Sequence, residues 1–325
     1  MKRSYQFISV LRPLVMLAVL VAAGAVRSEY PEKPLRAVVP FAPGGANDVM
    51  GRLVSPELGK LLGQPVIIDN KPGAGGNIGL DFVAKSKPDG YTILFSATAS
   101  TQNPALYRHL PFDPIKDLQP VAEVGQAAYV ILVHPKVAAN NPLELIELAR
   151  RNPGKLNVAS GGLGTRLSVE MFRIQNKINV EIIPYQGTGP AAIAVVRGEA
   201  DFAIMDTSAY TGFLASGQVK AFAVAGDKRL SSLPNVPTAR EAGLGDYLAG
   251  TIFGVYVAGA TSPEIVQKLN TLINRIISTP ATQERLRQLG AEPNPKSVEE
   301  FTKLIHREIA LWKTIVKQAN LPYVD

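Results

Sequence analysis

The sequence predicts an α/β protein with two sheets, each mostly parallel and flanked by helices, on three observations. Short β-rich runs alternate with helical patterns along the chain from about residue 30 onward. Several of those runs are continuously apolar, the pattern of strands covered by helices on both faces. At 325 residues the chain exceeds a typical single domain, which favours two.

The N-terminus stands apart from that pattern. Lys2 and Arg3 precede the apolar run LVMLAVLVAAGAV, and Ala23-Gly24-Ala25 supplies a small-x-small cleavage pattern. Together these describe a secretory signal peptide over 1–25. The alternative is an uncleaved membrane anchor, but the run after Pro13 is short against the ~20 residues that span a bilayer. Export with cleavage places the mature chain in a periplasm. Removing Lys2, Arg3 and Arg12 lowers the formal net charge from +7 to +4. No Lys/Arg run or basic-aromatic interleaving accompanies that excess, so no nucleic-acid partner is expected. The chain has no cysteine. That removes disulfides, Cys-ligated zinc, iron–sulfur clusters, Cys nucleophiles and a lipidated Cys together.

Strands are expected over 35–41, 65–70, 91–97, 129–135, 156–160, 180–185, 201–206, 219–226 and 253–259. Helix signals fall between them. Asn141-Pro142 reads as an N-cap and first helical residue ahead of LELIELARR. Ser262-Pro263 repeats the device before EIVQKLNTLINRIIS, with Ile265, Leu269, Leu272 and Ile276 on one face. Ser297 and Glu300 form a capping box, followed by a stripe of Phe301, Leu304, Ile305, Trp312 and Ile315. Trp312 reads as packing. No floppy linker or repeat interrupts the chain, so two sheets imply crossing strands. The first domain is then discontinuous, 29–125 with 252–325, around a second domain over 126–251. The cleft between them is the expected site, because open α/β sheets bind ligands beyond their strand carboxyl ends.

The candidate chemistry lies in loops at those ends. The stretch RAVVPFAPGGANDVMGRLV (36–54) feeds an apolar run through Gly44 and Gly45 into a helix, an arrangement that presents backbone N–H groups to an anion. It matches neither the dinucleotide fingerprint nor the phosphate loop. Asp48 reads as a cap or dipole partner. Similar Gly-rich loops follow at 71–77, 160–166 and 185–190, and Ser96, Thr98, Asp206 and Thr207 end other strands. Each alone is equally turn chemistry; their recurrence in both halves favours a small polar ligand. Catalytic equipment is scarce. The histidines are His109, His134 and His306, and no zinc-protease, nucleophile-elbow or Ser-x-x-Lys motif appears. Asp206 reads either as a cleft carboxylate or as a helix cap. Binding without catalysis, metal or cofactor is expected.

Taken together, the segments YPEKPLRAVVPFAPGGANDVMGRLV, VIIDNKPGAGGNIGLDFVAKSKPDGYTILF, IIPYQGTGPA, GEADFAIMD and KAFAVAGDKRLSSLPNVPTAREAGL resemble the Bug-type periplasmic receptors of tripartite tricarboxylate transporters. The resemblance runs from about Tyr30 to Asp325. It implies a type II, Venus-flytrap periplasmic-binding-protein fold that closes on a small organic carboxylate and delivers it to a membrane permease. It implies Phe41, Ala42, Gly44, Gly45 and Asp48 on one wall, with Ser96 and Thr98 on the same domain. Gly164, Thr165, Gln186, Asp206 and Thr207 would lie opposite. One departure stands out: in GLGTRLSVEMF, Arg166 occupies the place where the family often has His. It reads as a partner for a second carboxylate, or as a solvated Arg in a first helical turn. A monomer is expected. A ligand-sensing subunit for a sensor kinase and an exported α/β hydrolase using Asp206 are the rival functions.

Overall fold

The computed structural model describes residues 30–207 and 210–324; the expected signal peptide lies outside them. Among the described residues, ten strands form two five-stranded sheets. The first contains β1 (Leu35–Val39), β2 (Val66–Asn70), β3 (Thr92–Ser96), β4 (Leu118–Ala128) and β10 (Gly250–Ala258) in the order β2-β1-β3-β10-β4. The second contains β5 (Val130–Val133), β6 (Asn157–Ser160), β7 (Glu181–Pro184), β8 (Phe202–Met205) and β9 (Lys220–Val224) in the order β7-β6-β8-β5-β9.

Each sheet has three parallel strands followed by one reversed strand. The reversed strand is the one that arrives from the other sheet. Only Tyr129 separates β4 from β5, and Val130 pairs with Met205 at the carboxyl end of β8. A chain entering at the carboxyl ends of parallel strands has to run against them. The same holds for β10, which enters after Ala249 and pairs Gly254 with Ser96, the last residue of β3. Both crossings therefore sit at the carboxyl ends of the strands. The Tyr129 N–H donates to the Ala249 carbonyl (2.9 Å), and the Ala225 N–H to the Tyr129 carbonyl (2.7 Å), locking the crossing points together.

The apolar strands are explained by coverage on both faces. Ala37, Val39, Ile93 and Phe95 pack with helix α1 (Ala46–Leu62) and helix α8 (Pro263–Ile277). Val38 and Leu94 point the other way, toward helix α2 (Asn77–Ala84) and the N-terminal half of helix α10 (Val298–Gln318). In the second lobe, helix α5 (Leu163–Asn176) packs with β6 and β8 through Leu167, Met171 and Phe172, while helix α6 (Thr188–Val196) covers the opposite face. The remaining helices are α3 (Ala99–Leu106), α4 (Pro142–Arg151), α7 (Thr211–Ala215) and α9 (Pro280–Gln288).

The expected caps are present. Asn141 accepts the Glu144 N–H at 2.9 Å, and Ser297 and Glu300 close a reciprocal capping box. Trp312 is buried, its Nε1 donating to Glu308 at 3.0 Å. It joins Ile315 and Val316 in the cluster that links Ala105 and Leu106 of the first lobe to the core of the second, whereas Phe301, Ile305 and Ile309 of the same helix lie in a first-lobe cluster. The last helix thus packs on α3 and β4 of the first lobe and also touches α5 of the second.

Three elements differ from expectation. The longest strand, β4, carries none of the predicted strands, because LQPVAEVGQAA breaks its apolar run with Gln, Pro, Glu and Gly. Helix α3 is short, polar and contains Pro104, so no 3.6-residue stripe announces it. The buried face of α8 is Val266, Leu269, Ile273, Ile276 and Ile277, which leaves the expected Ile265 and Leu272 half-buried at its margin.

Candidate functional site

The first wall is built where β1 runs out. Ala42, Gly44 and Gly45 are exposed, and Phe41 is half-buried. Gly44 takes φ +85°, a left-handed turn that suits glycine. Gly45 then occupies the N-cap of α1 without a side-chain cap, so the first N–H groups of the helix face outward with the positive end of its dipole. Asp48 supports this loop from beneath. It is buried, and its Oδ2 accepts the Gly44 N–H (2.9 Å) and Arg52 Nε (2.8 Å). Asn70 Nδ2, at the end of β2, lies 3.0 Å from both Asp48 Oδ1 and the Phe41 carbonyl. The hydrogen bond from Arg52 is the largest influence holding the Asp48 carboxyl down at about 2. Asp48 is therefore spent on the loop's shape.

Beside it, the Phe41 ring packs on the 73–77 loop: a methyl group on Gly76 would sit 3.2 Å from Phe41 Cζ. Ser96 closes β3, fully buried, with an Oγ that has no hydrogen-bond partner among the described residues. Thr98, half-buried, starts α3.

The second wall repeats the design. Ser160 ends β6, and Gly162 (φ +149°) is the N-cap of α5, again without a side-chain cap. The Thr165 hydroxyl is buried, lies 3.1 Å from Ser160 Oγ and donates to the Gly162 carbonyl at 2.9 Å. Like Asp48, it shapes its loop. Arg166 is exposed and makes no ion pair among the described residues. Gln186 is exposed ahead of Gly187, the uncapped N-cap of α6. The two loops touch: a methyl on Gly161 would lie 2.6 Å from the Thr188 backbone. Asp206 is half-buried and Thr207 buried after β8. Thr207 reaches the other lobe, its Oγ1 3.1 Å from where a Gly290 Cβ would stand.

The lobes also meet at Gly164. A Cβ placed there would lie 3.1 Å from the Tyr129 hydroxyl, and 3.6 and 3.7 Å from Gln102 Oε1 and Nε2. Gln102 belongs to the first lobe, Gly164 to the second, and Tyr129 to the crossing between them. Burial pushes the Tyr129 phenol up to about 12, so it stays a neutral donor. Neither Gln102 nor Tyr129 was among the sequence candidates. Gln102 sits in a helix without an apolar stripe, and Tyr129 reads as an ordinary strand residue. Near Asp206, the Tyr210 hydroxyl is buried without a partner among the described residues, and burial together with the Asp206 charge raises its pKa.

Two adjoining cavities of about 380 and about 490 Å³ share Gln126, Asp227, Asn294 and Lys296. No sequence-predicted site residue lines either. Their charges are in part paired, as in Arg287–Glu292 at 3.3 Å. Among the described residues no cluster of His, Cys, Asp or Glu suits a metal ion, and no helix is long and apolar enough to cross a membrane. His109 and His306 are exposed; His134 Nδ1 accepts the Lys136 N–H at 3.0 Å.

Comparison with known proteins gives a consistent picture. A family model described as a tripartite tricarboxylate transporter family receptor matches residues 50–321. Protein BugT of Bordetella pertussis is 33% identical over 304 residues, which cover 92% of this chain and 93% of BugT. An R. palustris protein solved with adipate is 30% identical with a TM-score of 0.72, covering 91% of this chain and 100% of that one. MatC from Rhodopseudomonas palustris with bound malate is 33% identical with a TM-score of 0.69, covering 88% and 100%.

Proposed function

Because the chain belongs to the tripartite tricarboxylate transporter receptor family, we propose that it captures a small organic carboxylate between its lobes and hands it to a membrane permease. The fold is the two-sheet α/β fold of periplasmic binding proteins. The ligand class is carried by two of the uncapped helix N-termini, one in each lobe: α1 after Gly45 and α5 after Gly162. Buried anions need a full set of hydrogen-bond donors, and each terminus offers backbone N–H groups with dipole support. Relatives solved with adipate and malate support the same class.

In this reading the first domain, 29–125 with 252–325, closes on the second, 126–251. Phe41, Ala42, Gly44 and Gly45 form one carboxylate wall, with Asp48 holding it, and Ser96 and Thr98 flank it. Gly164, Thr165, Gln186, Asp206 and Thr207 complete the opposite wall on closure, and Arg166 supplies a guanidinium at its rim. Closure is favoured because only the closed state makes both sets of contacts. The mature chain works in the periplasm as a monomer, after loss of the signal peptide, and performs no chemistry on its ligand.

A thermal-shift panel tests this. Dicarboxylates, aromatic acids, amino acids and nicotinate are each added to the purified mature chain. At about 100 times its dissociation constant a true ligand stabilises by about 2.7 kcal/mol. Stabilisation by a carboxylate is expected. Silence toward every carboxylate, with a clear shift for a sugar or a metal ion, would refute the proposal.

A further inference from the structure

We propose that Gln102 is a specificity residue: its side-chain amide donates to a carboxylate oxygen of the ligand at the N-terminus of α5. This rests on the carboxylate-capture reading and adds to it a contact from the opposite lobe.

Gln102 is 4% exposed, yet its amide makes no hydrogen bond among the described residues. Its Oε1 and Nε2 are not among the sealed, partnerless polar atoms of the described residues, so the amide stays open to a ligand or to solvent at that point. Its surroundings say which. Gly164 lies in the first turn of α5, a helix of 14 residues with no side-chain cap. The place of its absent Cβ is 3.6 Å from Oε1 and 3.7 Å from Nε2. Either orientation of the amide therefore puts its NH₂ group beside the open end of the helix.

The Tyr129 hydroxyl is 3.1 Å from the same point, and burial keeps it protonated. Helix N–H groups, an amide NH₂ and a phenol O–H converge there without a formal positive charge from any of them. An oxygen-rich anion accepts from all three, whereas an ammonium group could use only the amide and phenol oxygens and would face the helix N–H groups unfavourably. Gly164 is needed because a side chain there would crowd the phenol and fill the space before the amide. Gln102 comes from the first lobe and α5 from the second, so the contact is completed only when the two are together.

The test measures calorimetric affinity for adipate, L-malate, L-aspartate and phthalate in the wild-type mature chain and in Gln102 variants. Gln102→Leu keeps the bulk and removes the donor; affinity for the bound acid should fall about tenfold. Gln102→Glu keeps the shape and adds a negative charge; the loss should be larger, about a hundredfold. A packing role predicts the reverse order, because the isosteric Glu would then be tolerated better than Leu. Gln102→Asn withdraws the amide by one methylene and should also weaken binding, which covers the case in which the Leu variant does not fold. Wild-type binding that survives unchanged in Gln102→Leu or Gln102→Asn overturns the inference alone. So does a Gln102→Glu variant that binds as tightly as Gln102→Leu. A wild-type chain that binds none of the four acids overturns the capture reading together with it.

Discussion

The Tyr129 hydroxyl lies 3.4 Å from Thr251 Oγ1, joining the chain's outward crossing to the strand on which it returns. The same hydroxyl faces Gly164 from the second lobe. One phenol therefore touches both crossings and one wall of the candidate site.

Removing that hydroxyl separates binding from folding. In Tyr129→Phe the ring stays packed, and the lost hydrogen bond is long, so the melting point should move little. Affinity for the bound acid should fall about tenfold, the worth of one buried neutral donor. Calorimetry on the variant checks this, and an unchanged affinity would remove Tyr129 from the site.

Asp48 sets an acid limit on the first wall. Its folded-state carboxyl is lowered to about 2 from an ordinary value near 3.8. The stabilisation it supplies is thus complete above about pH 4 and lost as pH falls toward 2. Asp48→Asn should flatten the melting-temperature profile in that window. At neutral pH it should cost on the order of 1 kcal/mol, allowing for solvent screening through the exposed Arg52. A variant with the wild-type acid profile would contradict the assignment.

Glu123 works in the opposite direction. It is fully buried on β4; Asn294 donates to its Oε1 at 3.0 Å, and Lys296 Nζ stands 3.6 Å from Oε2. Burial raises its carboxyl to about 7, against the smaller pull of Lys296. A raised acid stabilises the fold below its unfolded value, near 4.5, and that contribution disappears as pH rises through 7. Wild-type stability should decline between about pH 5 and 8, by on the order of 2 kcal/mol from this group. Glu123→Gln should remove the slope, as read by chemical denaturation at several pH values.

Gly161 fixes the spacing of the second wall. A methyl there would stand 2.6 Å from the Thr188 nitrogen and Cα, backbone atoms that have no rotamer by which to yield. Gly161→Ala should cost about 1–3 kcal/mol and weaken ligand binding by spreading the 160–166 and 185–190 loops. Gly162→Ala meets no neighbour within 4 Å, but its φ of +149° lies outside ordinary L-residue space. Its cost should therefore come from the backbone, with the loop spacing retained. Melting points and affinities for the pair distinguish the two mechanisms.

The sequence was most readable where local and global signals agree. The strand, double glycine and helix of 35–62 announce the first wall because an apolar run, a forced turn and an amphipathic helix coincide there. Ser262 and Ser297 announce their helices for the same reason. Strand β4 escaped because its polar interruptions at Gln119, Glu123 and Gln126 are tolerated only by its particular neighbours. Asn294 answers Glu123, and β10 pairs along the whole strand. Gln102 and Tyr129 escaped for a different reason. Their place in the site depends on Gly164, a residue distant in sequence, and no local pattern encodes a contact between lobes.

Helix α10 has a mechanical consequence. Its 21 residues span about 31 Å at 1.5 Å per residue, anchored in a first-lobe cluster by Phe301 and in the cluster that links the lobes by Trp312. A tilt of about 10° about one end would swing the other by about 5 Å over that length. The helix is thus a lever between the lobes, and the chain's single tryptophan rides on its far arm against Glu308. Intrinsic fluorescence then becomes a label-free gauge of lobe angle: acids that close the cleft should shift Trp312 emission, and acids that merely bind one wall should leave it still.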